Sequence, residues 1–389
     1  MRIAYISYPA FADCDYPLVR ALREQGNEVR YYLIITPFHL HSTLIDIAQF
    51  RTCFDIVPGD AYPELQRYDS YLDSSSIRVV NFGGNSKWQV FRLWKRFHRE
   101  LKKARTDIIQ LTHFFPPHAL YFYLTFRNKL FITIHDPVHH SGEYSRRDAL
   151  LRRIGASSMR GFIFLSYNEK LIQAFTEQHH IPESKVHYAA LAPYDCLKFI
   201  RRHPARQPSD FLFIGRISPY KGIDTLLEAM AILCKKRPDA KLIIAGAGDF
   251  WFDLSPFREM SGLRIINRFI TPSELVALMA DSQYVVCPYR EGTQSGVVMS
   301  ALALGRPVIA SEVGNFSTII KTGINGMLVP PSDPAALAEA MEAALEPSKR
   351  ESLMEYFSAV DYSKDWERIA AMYIDAYKND GEKPILPNG

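Results

Sequence analysis

Short runs of β-branched, aromatic and aliphatic residues alternate along the chain with longer stretches whose apolar positions recur at helical spacing. The strand-length runs are Ile3–Ser7, Val29–Ile35, Ile108–Thr112, Phe131–Ile134 and Phe162–Ser166, then Phe211–Gly215, Lys241–Ala245, Leu263–Ile266, Tyr284–Cys287 and Val308–Ala310. Helical patterns lie between them, among them Tyr16–Gln25, Gly222–Lys236, Thr271–Ala280 and Ala335–Ala344. Continuous apolar strands separated by helices predict parallel sheets covered on both faces. The two sets predict two doubly wound, Rossmann-like α/β domains. Between them, Arg201–Ser209 has two prolines and no apolar period, which predicts an exposed linker. The expected domains are 1–203 and 204–364. Near the end, Trp366–Tyr377 is helical again, with Trp366, Ile369, Ala370, Tyr373, Ile374 and Tyr377 on one face. The tail 379–389 is expected to be disordered.

Composition narrows the class. The 389 residues are 47% hydrophobic and 23% charged, the profile of a globular protein long enough for two cores. No apolar run approaches the roughly 20 residues of a membrane-spanning helix. The opening strand-like segment is too short for a signal peptide. These features lead to the expectation of a cytoplasmic protein. Five scattered cysteines form no metal-ligand spacing and no disulfide framework. The net charge of +4 is mild, and no aromatic-basic signature points to nucleic acid.

Ligands of doubly wound sheets bind beyond the carboxyl ends of the strands, so two such domains predict a site in a cleft between them. Two loops stand out. In Gly215-Arg216-Ile217-Ser218-Pro219-Tyr220-Lys221-Gly222, two cations follow a buried strand. Arginine forks onto two phosphate oxygens and lysine acts as a point charge, a pair suited to a diphosphate; basic residues are also common in plain solvated loops. In Pro288-Tyr289-Arg290-Glu291-Gly292-Thr293-Gln294-Ser295-Gly296, a small polar turn leads from a strand into a helix. A helix start favours phosphate through its free N–H groups and positive dipole end. Glu291, unfavourable beside phosphate, suits sugar hydroxyls. Thr293 and Ser295 also read as simple helix caps.

The stretch Phe211–Pro330 resembles the C-terminal donor domain of the retaining family-four glycosyltransferases, which have the GT-B fold. The matching pieces are Gly215-Arg216 with Lys221-Gly222, Leu242–Gly248, Pro288–Gly296, Ala303–Ala310, Val313-Gly314 and Asn325–Pro330, in order and at fitting spacing. The Thr-Gln-Ser-Gly turn is similar to one branch of that family. The resemblance extends more weakly over the whole chain, and implies that the final helix, 365–378, joins the first domain. It gives the donor diphosphate to Arg216 and Lys221, with Gly215 and backbone groups at Thr293, Gln294, Ser295 and Gly296. It gives donor-sugar hydroxyls to Glu291. It makes His135, after a first-domain strand, the residue that reaches the sugar, with His113 a weaker candidate. The family's second glutamate, which holds the ribose, falls at about Ser300. Its second glycine after Val313-Gly314 is Asn315, and its following glutamate lies near Thr318. A Gly-Gly turn after the first strand is replaced by Pro9–Tyr16, where Asp13 and Asp15 either bind acceptor hydroxyls or, the favoured reading for Asp15, cap the next helix.

The expected activity is therefore transfer of a sugar, with retention, from a nucleotide-diphosphate sugar to a glycan or lipid-linked acceptor in cell-surface polysaccharide assembly. No cofactor is expected beyond the donor. No metal is expected either, because Asp13-Cys14-Asp15 is the lone Asp-x-Asp and lies in the wrong domain. The segment Lys87–Arg105 carries eight basic residues among Trp88, Phe91, Trp94, Phe97 and Leu101. Either that stripe packs on the sheet, or the helix lies on an anionic membrane, which would make the protein peripheral on the inner face. A second basic group is Arg146, Arg147, Arg152, Arg153 and Arg160. Rival readings are an oxidoreductase, suggested by Gly246-Ala247-Gly248, a nucleotide-sugar epimerase of the same fold, and a non-catalytic sugar-nucleotide-binding protein.

Overall fold

The computed structural model describes residues 1–37, 40, 42–47, 53–84, 86–114, 120–135, 137, 155–165, 168–200, 208–292 and 294–378. Thr293, Asp136, Ser166, the tail, most of the expected linker, and Arg146, Arg147, Arg152 and Arg153 lie outside them. The chain divides into two compact units. One is Met1–Ala192 with the C-terminal helix Ser363–Lys378, the other Pro193–Tyr362.

The N-terminal unit is built on eight strands: β1 (Arg2–Ser7), β2 (Glu28–Ile35), β3 (Phe54–Pro58), β4 (Ile77–Phe82), β5 (Ile108–Leu111), β6 (Leu130–Ile134), β7 (Gly161–Phe164) and β8 (Val186–Tyr188). Their order is β3-β4-β2-β1-β5-β6-β7-β8, parallel throughout except for β3 against β4. β3, β4 and β8 were not among the expected strands. β3 is half-exposed at an edge and β8 is three residues long, so neither leaves a continuous apolar run.

Alternation along β5 and β6 explains how the unit is covered. Ile109, Leu111, Ile132 and Ile134 face a core shared with Leu93, Trp94, Phe97 and Leu101 of the helix Lys87–Lys103. Gln110 and Thr133, between them, are buried on the other face. There the C-terminal helix meets them. Gln110 Nε2 donates to Thr133 Oγ1 at 3.0 Å, Tyr377 donates to Gln110 Oε1 at 2.9 Å, and the Tyr373 hydroxyl lies 2.9 Å from Thr133 Oγ1. Trp366, Ile369 and Ala370 of the same helix are buried. The expected apolar face of that helix is thus the face that attaches it to this unit. A buried polar network that satisfies its members in this way fixes one register for the helix.

The expected cap role of Asp15 is not what the structure shows. The first helix spans Ala12–Glu24, four residues earlier than expected, with Phe11 at its N-cap position. Asp15 therefore lies within the first turn. Its carboxyl is fully buried and accepts hydrogen bonds from Tyr5 at 2.7 Å and Tyr31 at 3.2 Å. Burial pushes its pKa up to about 8, with the Asp13 charge adding to the rise and the hydroxyl donors opposing it. The folded protein thus holds a proton that the unfolded chain gives up near 3.8. Stability from this group is full below that value and drains away as pH rises toward 8. Asp15→Asn is expected to raise the unfolding temperature by several degrees at pH 8 and less at pH 5. Thermal melts of both proteins across that range check it; an equal change at both pH values would exclude a titrating Asp15.

The C-terminal unit is a parallel six-stranded sheet of β9 (Ser209–Ile214), β10 (Leu242–Ala245), β11 (Leu263–Ile266), β12 (Ser282–Cys287), β13 (Val308–Ser311) and β14 (Gly326–Val329), ordered β11-β10-β9-β12-β13-β14. Its core strands agree with the expected runs to within two residues. The unit begins before the expected boundary at 203/204. Asp195–Phe199 forms a 3₁₀ turn that packs on the helix Gly296–Ala303, and Tyr194 N donates to Met299 O at 3.4 Å.

Candidate functional site in the C-terminal unit

From β9 the chain runs outward to β10 and β11 on one side and, on the other, to β12, β13 and β14. The order reverses between β9 and β12, and a doubly wound sheet binds ligands outside the carboxyl ends of the strands at such a point. The loops beyond these two strand ends are Gly215–Gly222 and Pro288–Ser295, the two picked out by their chemistry.

The loops are fastened to each other. Gly222 has φ +65°, and a Cβ there would lie 1.9 Å from the Pro288 carbonyl oxygen. Only glycine permits both the conformation and the contact. Arg290 N donates to Tyr220 O at 2.8 Å. The Arg290 guanidinium donates to Pro219 O at 3.3 Å and to Asp224 Oδ2 at 2.5 Å. Arg290 is thus spent on holding the loops, and it neutralises a carboxylate in the first turn of the helix Ile223–Cys234.

Arg216 is exposed and Lys221 half-exposed on the first loop. The Lys221 ammonium lies 3.7 Å from the centroid of the Tyr289 ring and 5.0 Å from that of Tyr220. Between the two cations sits Ser218, whose buried hydroxyl has no hydrogen-bond partner among the described residues.

On the second loop Glu291 is exposed and Gln294 half-exposed. Ser295 is the N-cap of the helix Gly296–Ala303, its buried hydroxyl accepting from Val298 N at 3.4 Å. The cap reading of Ser295 thus holds for its side chain. The cap takes the Val298 N–H, while those of Gly296 and Val297 precede the first intrahelical bond. Ser300 does not fit the nucleotide-contact role expected of it. It is buried in the second turn, and its hydroxyl donates back to Gly296 O at 2.8 Å.

The glycines that suggested an oxidoreductase loop have another cause. A Cβ on Gly246 would lie 1.8 Å from Gly215 O, and one on Gly248 would lie 2.3 Å from Ile217 O. Gly215 N and Ile217 N donate to Ala245 O and Ala247 O at 3.0 and 2.9 Å. These glycines let the β9 and β10 loops lie flush.

In the N-terminal unit, His113 and His135 follow the neighbouring strands β5 and β6. His135 is half-buried and stacks on Phe11 at 4.4 Å. His113 meets Tyr8 edge-on at 5.8 Å. Both histidines thus sit at the carboxyl edge of that sheet against the segment after β1. Among the described residues no cluster of side chains could hold a metal ion.

The loop junction gives a direct expectation. Gly222→Ala should destabilise the protein by about 2 kcal/mol or more, through the forced φ and the clash with Pro288. Chemical denaturation measures this; a loss under about 0.5 kcal/mol would show that the loops part freely.

Residues 208–347 match the family described as "Glycosyl transferases group 1". An uncharacterized glycosyltransferase of Methanocaldococcus jannaschii is 33% identical over 172 residues, covering 43% of this chain and 44% of the relative. The chain covers less than half the length of the curated relatives it matches. Among solved structures, a sucrose-phosphate synthase from Thermosynechococcus elongatus superposes with a TM-score of 0.62 at 17% identity, over 97% of this chain and 98% of that one. The Anabaena protein HepE in complex with UDP-glucose gives 0.62 at 14% identity, over 97% and 100%. The chain therefore has the GT-B fold, and its residues 208–347, which contain both fastened loops, match the group 1 glycosyl transferases.

Proposed function

We propose that this protein is a nucleotide-sugar-dependent glycosyltransferase whose C-terminal unit binds the donor. The observation that carries the reading is the junction at the β9–β12 reversal, where the loop bearing Arg216 and Lys221 is fastened to the loop that leads into a capped helix start. UDP-glucose bound to HepE, a protein of the same fold, fits this class of donor. Departure of a nucleoside diphosphate develops negative charge on its phosphate oxygens. Fixed cations and helix N–H groups aimed there stabilise the transition state more than the ground state. Arg216 and Lys221 take that role, backbone groups of Thr293–Gly296 share it, and Glu291 holds sugar hydroxyls. The reaction proceeds with retention: the acceptor oxygen attacks from the face the diphosphate leaves, and a leaving-phosphate oxygen takes its proton. With Ser300 turned inward, the ribose is held by other groups. In the N-terminal unit, His135 and His113 are the candidates for sugar hydroxyls. The acceptor is a glycan or a lipid-linked glycan of polysaccharide assembly.

Lys221→Ala is expected to lower turnover about 100-fold. It should also shrink the rise in melting temperature that a nucleoside diphosphate gives the wild type in a thermal-shift panel. Near-normal turnover in the variant would remove Lys221 from the mechanism. An epimerised nucleotide sugar, formed with no acceptor glycosylated, would favour the epimerase instead.

A second reading concerns where the protein works. No described helix is long and apolar enough to cross a membrane. The Lys87–Lys103 helix buries Trp94, Phe97 and Leu101, as a helix packed on a sheet should. It leaves Trp88 66% and Phe91 49% exposed, and the helix Leu120–Phe126 adds Tyr121 and Leu124, each 60% exposed. His98, on the first helix, contacts Tyr121 with ring centroids 4.6 Å apart, so the two helices adjoin. Lys87, Arg92, Lys95 and Arg99 surround Trp88 and Phe91 along the first helix. Aromatic side chains framed by lysine and arginine suit the interface of an anionic bilayer. Sedimentation with vesicles containing phosphatidylglycerol should carry the protein down, and Trp88→Ser with Phe91→Ser should release it. Equal sedimentation of wild type and variant would remove this patch from membrane binding.

A further inference from the structure

We infer that Tyr289 is a positioning residue that sets the Lys221 ammonium and the start of the helix Gly296–Ala303 in one geometry for a diphosphate; this rests on the donor-site reading above. The side chain is 1% exposed, immediately after β12 and within the second loop. Its ring lies 3.7 Å from Lys221 Nζ, and its hydroxyl lies 3.2 Å from Ser295 Oγ. Ser295 Oγ in turn accepts from Val298 N. One rigid side chain therefore touches the point cation with its face and the helix cap with its tip. The Phe316 ring, 5.6 Å away and itself buried, holds it from a further side.

The chemistry explains why an aromatic ring suits this place. A carboxylate beside Lys221 would hold the ammonium by consuming its charge and its N–H donors. A ring face attracts the cation through its quadrupole and uses none of the donors aimed elsewhere. The long lysine stem is held against the ring before the ligand arrives. Ordering a lysine only on binding costs conformational entropy, which a preformed contact reduces. The hydroxyl end makes the arrangement two-sided: a shift of the helix start would move the ring under the lysine. A burial role alone would need the ring's size and not its electron density.

Those alternatives separate experimentally. Tyr289→Phe and its monofluoro, difluoro and trifluoro analogues, incorporated by an expanded genetic code, keep nearly one shape while withdrawing electron density from the ring face. Calorimetry with inorganic pyrophosphate, and with UDP, ADP and GDP, reads affinity without needing the acceptor. Pyrophosphate affinity is expected to fall stepwise along the series, by about 5-fold in total. In a Lys221→Ala background the series should be flat. All variants can be compared with Tyr289→Phe, so a shared loss of stability does not hide the trend. A flat series with Lys221 present overturns the inference, as does affinity that rises with fluorination, since Lys221 would then leave the ring to bind. Wild type binding neither pyrophosphate nor any of the nucleotides overturns the donor-site reading, and the inference with it.

Discussion

The candidate site depends on one close approach: Gly222 against the Pro288 carbonyl, where a Cβ has no room. This contact brings the β9 and β12 loops together at the reversal of strand order. Arg290 secures it with three hydrogen bonds to the other loop and its helix. Arg290 is committed to this structural task, and the other two cations of the joined loops are Arg216 and Lys221. A cationic site made by two separate flexible loops would have to order both on binding. Here the loops are ordered by each other.

The same economy shapes the neighbouring strand ends. Gly246 and Gly248 accept the backbone of Gly215 and Ile217, so the β10 loop supports the Gly215–Gly222 loop from its other side. Ser295 caps its helix and touches Tyr289, while Tyr289 meets Lys221. Lys221 and the start of the helix Gly296–Ala303 thus rest on one buried partner, Tyr289. Preorganisation of this kind is what electrostatic stabilisation of a leaving group requires, since the donors need not reorganise as charge develops.

The N-terminal unit uses buried polar groups differently. Gln110 and Thr133 interrupt apolar strands only on the face that receives Tyr373 and Tyr377. They select where the chain's last helix docks. Asp15, buried against Tyr5 and Tyr31 and raised in pKa by burial, makes part of that unit's stability depend on pH. Its place in the interior follows from the helix starting at Ala12, with Phe11 at the N-cap position.

The amino-acid sequence by itself determined the parallel architecture. Apolar runs at β1, β2, β5, β6, β7, β9, β10, β12 and β13 suit strands buried on both faces, β11 stays partly exposed at the sheet edge, and the intervening periodicity predicts helices. It also determined the chemical character of the Gly215–Gly222 and Pro288–Ser295 loops, because glycine, arginine and lysine at strand ends are local features. Edge strands β3, β8 and β14 escaped it, since short or half-exposed strands do not enforce a pattern, and so did the interior strand β4. Tertiary structure alone decided which members of each motif are available. It withdrew Ser300 into its own helix, assigned Arg290 to the loop junction, took Asp15 into the core, and split the aromatic stripe of Lys87–Lys103 into a buried and an exposed part. Such outcomes depend on what lies opposite each side chain, and contacts between residues far apart in sequence leave no local trace.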